Sequence, residues 1–185
     1  MEEVSGGKQF IKSEKVLQEI GVKPGDRIAD MGCGALGYFT FAAAKVVGKN
    51  GLIYAIDVRQ IVLEGIRNRA RIDGLTNIET IWANLEIIKS TGIADVSVDL
   101  SFLFNVLFQN KKREEILTEA IRILRPGGRL AVIDWLGEKN PFGPQVDALV
   151  NKQGILQFCK KFSLTLEKEF NPSSYHFGLL FIKNK

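Results

Sequence analysis

Two rhythms of apolar residues alternate along the chain. Phe10, Ile11, Val16, Leu17 and Ile20 recur at helical spacing over residues 8–20, and Lys23-Pro24-Gly25-Asp26 then reads as a turn. Short, largely apolar runs predict strands at Arg27–Met31, Leu52–Asp57, Ile78–Trp82, Val98–Phe104 and 129–135. Between them, helical periodicity predicts helices at Tyr38–Val47, Gln60–Ile72 and 113–124, with Lys49-Asn50-Gly51 as a stop and Pro126-Gly127-Gly128 as a turn. Strand and helix in alternation imply βαβ crossovers, parallel strands and helices on both faces of a sheet. The last third departs from this rhythm. After a Pro/Gly-rich stretch over 138–144, an amphipathic helix over 146–162 leads to strands at 164–170 and 177–182. The connection between those two strands, about six residues, is too short for a parallel crossover and predicts an antiparallel pair.

Composition narrows the class further. At about 150 residues per domain, a chain of 185 residues predicts one domain over 1–185. With 45% apolar and 25% charged residues, most of the chain is excluded from disorder. No apolar run approaches the roughly 18 to 20 residues that cross a bilayer, and the opening Met1-Glu2-Glu3-Val4 lacks the layout of a secretory signal. A soluble, cytoplasmic protein without a membrane span is expected. Cys33 and Cys159 lie far apart with no second Cys or His at metal spacing, which argues against a disulfide scaffold and against a metal site. The surplus of 25 Lys and Arg over 21 Asp and Glu, a net +4, suits an anionic partner without demanding nucleic acid.

Chemistry concentrates where the first two strands end. In a parallel sheet of this kind the ligand site lies at the carboxyl ends of the first, second and fourth strands. The first strand runs into Asp30-Met31-Gly32-Cys33-Gly34-Ala35-Leu36-Gly37, a GxGxxG spelling. Glycines there let backbone approach a ligand closely and open a helix whose amides favour negative charge, which suits a dinucleotide. Asp57, 20 residues beyond Gly37, ends the second strand, where a carboxylate can accept both hydroxyls of a ribose. Asp30 separates the possible ligands: a carboxylate beside the glycines repels a pyrophosphate and welcomes a cation, such as the sulfonium and ammonium of S-adenosylmethionine.

With these residues in view, the chain resembles the class I S-adenosylmethionine-dependent methyltransferases, in particular the small-molecule type that includes quinone-biosynthesis enzymes. The resemblance rests on the run from Lys23 to Gly34, on Tyr54-Ala55-Ile56-Asp57 and on Val98-Asp99-Leu100-Ser101-Phe102. It continues through Ile123-Leu124-Arg125-Pro126-Gly127-Gly128-Arg129-Leu130 and Tyr175-His176-Phe177-Gly178-Leu179-Leu180-Phe181. It implies a Rossmann-like, doubly wound α/β fold: a mostly parallel seven-stranded sheet with a C-terminal antiparallel hairpin. It implies that Gly32, Cys33, Gly34 and Gly37 form the cofactor loop, with Asp30 orienting the ammonium and Asp57, followed by Val58, holding the ribose. Asn84, followed by Leu85, matches a position where the family often places an acid against the adenine amine, and an amide oxygen accepts the same bond. Phe104 and Asn105 match the segment whose backbone meets the ammonium and whose side chains face the transferred methyl. The family usually has one residue between its second and third glycines, and here Ala35 and Leu36 occupy that place, so the loop either shifts the cofactor or bulges.

The resemblance implies S-adenosylmethionine as cofactor and methyl transfer as the reaction, an in-line displacement in which alignment and exclusion of water do most of the work. No catalytic residue is assigned. His176, the single histidine, reads as a half-buried, hydrogen-bonded ring at a strand start, and Cys33 as a small loop filler. Lys111-Lys112-Arg113 reads as a solvated helix start. Trp135 and Phe142 could line a substrate mouth, and Trp135 could equally be core. The acceptor is expected to be a small molecule; RNA or protein is less favoured because no basic stripe interleaved with aromatics is present. A nicotinamide-dependent oxidoreductase and a non-catalytic cofactor-binding protein are the alternatives from other classes.

Overall fold

The structure, a computed structural model, describes residues 11–137 and 143–184. Seven strands form one sheet: β1 (Arg27–Met31), β2 (Leu52–Asp57), β3 (Ile78–Trp82), β4 (Val98–Phe104), β5 (Leu124–Trp135), β6 (Leu164–Ser173) and β7 (His176–Lys183). Their order is β3-β2-β1-β4-β5-β7-β6. The first five pair in parallel, and β7 inserts antiparallel between β5 and β6. The sheet reverses direction of growth between β1 and β4, so a crevice opens above their carboxyl ends.

Strand alternation sorts side chains to two faces. One face buries Ile28, Leu100, Phe102, Phe104 and Ile133 against α1 (Ser13–Glu19) and α2 (Tyr38–Val47). Ala55, further along that face, packs beneath α3 (Gln60–Ile72) through Leu63 and Ile66. The opposite face buries Leu103, Leu130, Val132 and Leu179 against α4 (Arg113–Ile123) and α5 (Lys152–Lys161). β1 and β4, in the centre, are covered on both sides and read accordingly as near-continuous apolar runs. Among the described residues no helix is long and apolar enough to cross a membrane.

Several boundaries differ from the sequence expectation. α4 ends one residue early, at Ile123, and β6 extends to Ser173 while β7 begins at His176, so two residues rather than about six join them. The described part of the first helix is shorter than 8–20, and residues 8–10, with Phe10, lie outside the described residues. The helix expected over 146–162 divides into a single 3-10 turn (Val146–Ala148) and α5. Asn151 makes the division: its Oδ1 accepts the N–H groups of Gln153 and Gly154 and caps α5 in an extended backbone, so helix cannot run through it. β5 starts at Leu124 rather than 129, because Leu124 already pairs with Val98 ahead of the Pro-Gly-Gly irregularity.

The connection from β3 to β4 is fixed to α4 by one buried acid. Glu119 accepts the Lys89 N–H at 2.8 Å and the Thr91 hydroxyl at 2.6 Å, and the Arg122 guanidinium binds both of its oxygens. Burial alone would raise its pKa, but Arg122, Thr91 and Lys89 outweigh burial and hold it below the usual carboxylate value. An acid lowered on folding contributes stability above its unfolded pKa and loses it as pH falls through the folded one. Glu119→Ala should cost about 1–3 kcal/mol in urea unfolding near neutral pH, because it leaves the Lys89 N–H and the Thr91 hydroxyl without their acceptor, while Arg122 keeps its ion pair with Asp95. Glu119→Gln should flatten part of the stability loss below about pH 4.5.

Candidate functional site

The glycine turn is stitched to the neighbouring strand by a single carbonyl. Ile56 C=O accepts the N–H of Gly32 at 2.8 Å and that of Cys33 at 2.9 Å, so the chain must turn sharply as it leaves β1. Gly32 meets the demand with φ of +82°, and a Cβ there would stand 2.7 Å from a Val106 methyl group. The turn then closes with Gly37 N–H on Gly34 C=O, and Gly37, at +52°, enters α2. Ala35 and Leu36 are both exposed, and Arg69 holds the Leu36 carbonyl from outside. The extra residue of the loop therefore bulges into solvent, and Gly32 and Gly34 stay against β2.

Two buried carboxylates flank this turn. Asp30 on β1 accepts the Thr40 hydroxyl at 2.5 Å, a contact supplied by the first turn of α2. Asp57 ends β2; its Oδ2 accepts Gly34 N–H at 3.2 Å, and its Oδ1 accepts the N–H of Arg59 at 2.9 Å and the Arg59 Nε at 3.3 Å. A carboxylate offers about four acceptor sites, so Asp57 retains capacity for a further donor. Val58 is exposed beside it and its carbonyl accepts the Trp82 indole N–H. Asn84, also exposed, turns its Oδ1 onto the Glu86 N–H, a local turn that uses one of the oxygen's two lone pairs. Leu85 is partly buried and packs against the core.

At the end of β4 the two expected residues part company. Phe104 stacks on Phe102 at 4.8 Å and meets Phe39 edge-on at 4.5 Å, so its ring is core and only its backbone borders the crevice. Strand alternation is the reason, since residues two apart share a face. Asn105 adopts φ of +56°, a left-handed conformation in which its N–H reaches Ile133 C=O and its carbonyl accepts Gln109. Its side-chain Nδ2 lies 3.3 Å from His176 Nε2, and its buried Oδ1 has no hydrogen-bond partner among the described residues. His176 is fully buried rather than half-buried; its Nδ1 sits 2.8 Å from Ser173 Oγ and its ring rests 4.2 Å from Trp135. Burial pushes its pKa down to about 4, so the ring is neutral at pH 7. Trp135 is core by burial, yet its Nε1 also lacks a partner among the described residues. An unpaired buried donor or acceptor costs about 1–3 kcal/mol. Phe142 lies outside the described residues.

Asp134 is a buried site residue that sequence reasoning missed. It is the one acid in the apolar run from Leu130 to Trp135, and that was the available signal. Its carboxyl accepts the N–H of Trp135 at 2.9 Å and of Phe108 at 3.3 Å, which ties the 3-10 turn Leu107–Gln109 after β4 to the end of β5. Burial raises its pKa to about 7 against the opposing backbone amides and the Arg113 charge. Arg113 is likewise not simply solvated: its guanidinium donates to the carbonyls of Leu107, Asn110, Ala148 and Leu149. Lys111 and Lys112 are exposed, as expected for a helix start.

A family model described as a methyltransferase domain matches residues 22–165. The chain is 28% identical over 139 residues to the ubiquinone/menaquinone biosynthesis C-methyltransferase UbiE of Ectopseudomonas mendocina, covering 75% of this chain and 53% of that protein. It is 30% identical over 134 residues to the protein of the same name from Vibrio cholerae, covering 71% of this chain and 50% of that protein. It thus spans about half the length of the curated relatives it matches. A solved structure of a SAM dependent methyltransferase from Aquifex aeolicus is similar with a TM-score of 0.84 and 26% identity, covering 95% of this chain and 91% of that one.

The position of Asp134 has a measurable consequence. An acid whose pKa is raised on folding opposes stability as pH climbs from its unfolded value near 4 to its folded value near 7. Urea unfolding across that window should show the Asp134→Asn variant losing less stability with rising pH than the parent. Parallel pH profiles would show that the carboxyl is not held protonated by the fold.

Proposed function

The chain belongs to the methyltransferase-domain family, and we propose that it transfers a methyl group from S-adenosylmethionine to a small-molecule acceptor. The buried Asp30 carboxylate beside the glycine turn carries this reading. A pyrophosphate placed there would be repelled, whereas a ligand with a sulfonium and an ammonium is attracted, and the nicotinamide-dinucleotide alternative loses its footing. The residues present fit the cofactor. Gly32 and Gly34 keep the turn against β2, Asp57 has acceptor capacity for ribose hydroxyls, and two buried acids complement the cation.

When bound, S-adenosylmethionine supplies a methyl carbon already activated by its sulfonium, so displacement needs an aligned nucleophile and little else. Asp30 orients the ammonium, and Thr40 fixes the carboxylate that does so. Asp57 holds the ribose while Gly34 and Arg59 hold Asp57. Gly32, Cys33, Gly34 and Gly37 shape the turn, and Val58, Asn84 and Leu85 border the base. At Phe104 and Asn105 the backbone faces the amino-acid end. The acceptor enters above the ends of β4 and β5. A small molecule fits best, because the described residues there are mainly aromatic and amide groups and form no basic stripe.

Calorimetric titration tests the reading. S-adenosylmethionine and S-adenosylhomocysteine should bind in the micromolar range while oxidised and reduced nicotinamide dinucleotides give no heat. Asp57→Ala should weaken both sulfur ligands by about 1–3 kcal/mol, or about 5- to 150-fold, through the lost acceptor for two ribose hydroxyls. Selective binding of a dinucleotide would overturn the cofactor assignment, and unchanged affinity in the variant would remove Asp57 from the site.

A further inference from the structure

We propose that Trp135 and Asn105 recognise the methyl acceptor, that the group they read is an uncharged hydroxyl, and that His176 is the positioning residue that sets the pair; the proposal rests on the methyl-transfer reading above. Asn105 and Trp135 are 4% and 3% exposed, and each carries one polar atom, Oδ1 and Nε1, that has no partner among the described residues. The two meet at one ring: Asn105 Nδ2 reaches His176 Nε2, and the Trp135 ring lies tilted against the same imidazole. This cluster adjoins the glycine turn, because Val106, the residue after Asn105, fills the space that Gly32 leaves open.

The hydrogen-bond network assigns the tautomer. His176 Nε2 accepts from the Asn105 amide, so the ring proton sits on Nδ1 and is donated to Ser173 Oγ, which also accepts the Tyr175 N–H. With its Nδ2 engaged in this way, Asn105 presents Oδ1 as a bare acceptor, and Trp135 presents Nε1–H as a bare donor. A hydroxyl is the group with the chemistry for both, a donor for Oδ1 and an acceptor for Nε1–H. A carboxylate or phosphate cannot donate to Oδ1, and an ammonium cannot accept from Nε1–H. Among the described residues the cluster holds no compensating charge: His176 is neutral, and the Asp134 carboxyl is turned onto the Phe108 and Trp135 amides.

The test follows the Trp135 indole N–H by nitrogen-15 NMR in protein saturated with S-adenosylhomocysteine. Phenol, benzoate and benzylammonium serve as probes of one ring with neutral, anionic and cationic heads. Trp82, the only other tryptophan, is exposed and serves as the internal control. Phenol should shift the Trp135 resonance saturably, and the charged probes should not. His176→Phe and Asn105→Ala should each weaken phenol by about fivefold or more, while His176→Gln, whose amide oxygen can replace Nε2 as acceptor, should restore binding. A Trp135 response equal for benzoate or absent for phenol overturns the proposal, as does a folded His176→Phe protein that binds phenol like the parent. If the variants fail to fold, the ranking of the three probes on the parent decides. Failure of S-adenosylhomocysteine to bind by calorimetry would instead remove the methyl-transfer reading beneath it.

Discussion

The carbonyl of Ile56 is the point on which the ligand-facing edge of the sheet depends. By accepting two successive N–H groups, from Gly32 and Cys33, it binds the exit of β1 to the end of β2 and forces the chain into a left-handed turn. Only glycine takes that conformation without strain, and only glycine leaves space for Val106 across the turn. The consequences spread outward. Gly34 is brought under Asp57, and α2 is started where its Thr40 meets Asp30. Two carboxylates on adjacent strands are thus fixed by local hydrogen bonds before any ligand arrives, which is the arrangement that lowers the ordering cost of binding.

The crevice is electrostatically divided. Its β1–β2 half holds Asp30 and Asp57, both buried, with Arg59 reaching Asp57 from the solvent side. Its β4–β5 half gathers Asn105, Trp135, Ser173 and a neutral His176, and Asp134, the acid there among the described residues, turns its oxygens onto backbone amides. A cation in the first half and an uncharged reactant in the second is the pairing this division favours. Displacement of a sulfonium by an uncharged acceptor spreads the existing positive charge over sulfur and acceptor without creating a new one, and the acceptor then releases a proton. An uncharged surrounding therefore does not oppose the transition state.

Most of the scaffold was legible because parallel sheets write simple patterns. β1 to β4, α2 and α3 match their sequence boundaries residue for residue, since each is a continuous apolar run or stripe bounded by glycine, proline or asparagine. Asp30 and Asp57 were legible for the converse reason: acids ending apolar strands have no packing role to explain them. What was not legible depends on contacts far apart in sequence. Phe104 was placed at the reacting methyl by its position after β4, but the face it occupies is decided by Phe102 and Phe39. Asn151 looks like any polar residue in an amphipathic stretch until its side chain is seen capping Gln153 and Gly154. The left-handed backbone of Asn105 and the unpaired atoms around it have no sequence signature at all.

The antiparallel insertion of β7 explains why the β4–β5 half of the crevice escapes a reading strand by strand. In a wholly parallel sheet every strand brings its last residues to the ligand edge, and the search for chemistry is confined to strand ends. β7 runs the other way, pairing its first residue, His176, with the last residue of β5, Trp135. The β6–β7 hairpin therefore delivers its turn, with Ser173 and His176, to the edge where β1, β2 and β4 end. His176 reaches Asn105 across 71 residues of sequence. The reversal gives the crevice a wall that no βαβ unit can supply, and variation in that hairpin can alter the β4–β5 half while the Asp30 and Asp57 half, built from the first two strands, stays as it is.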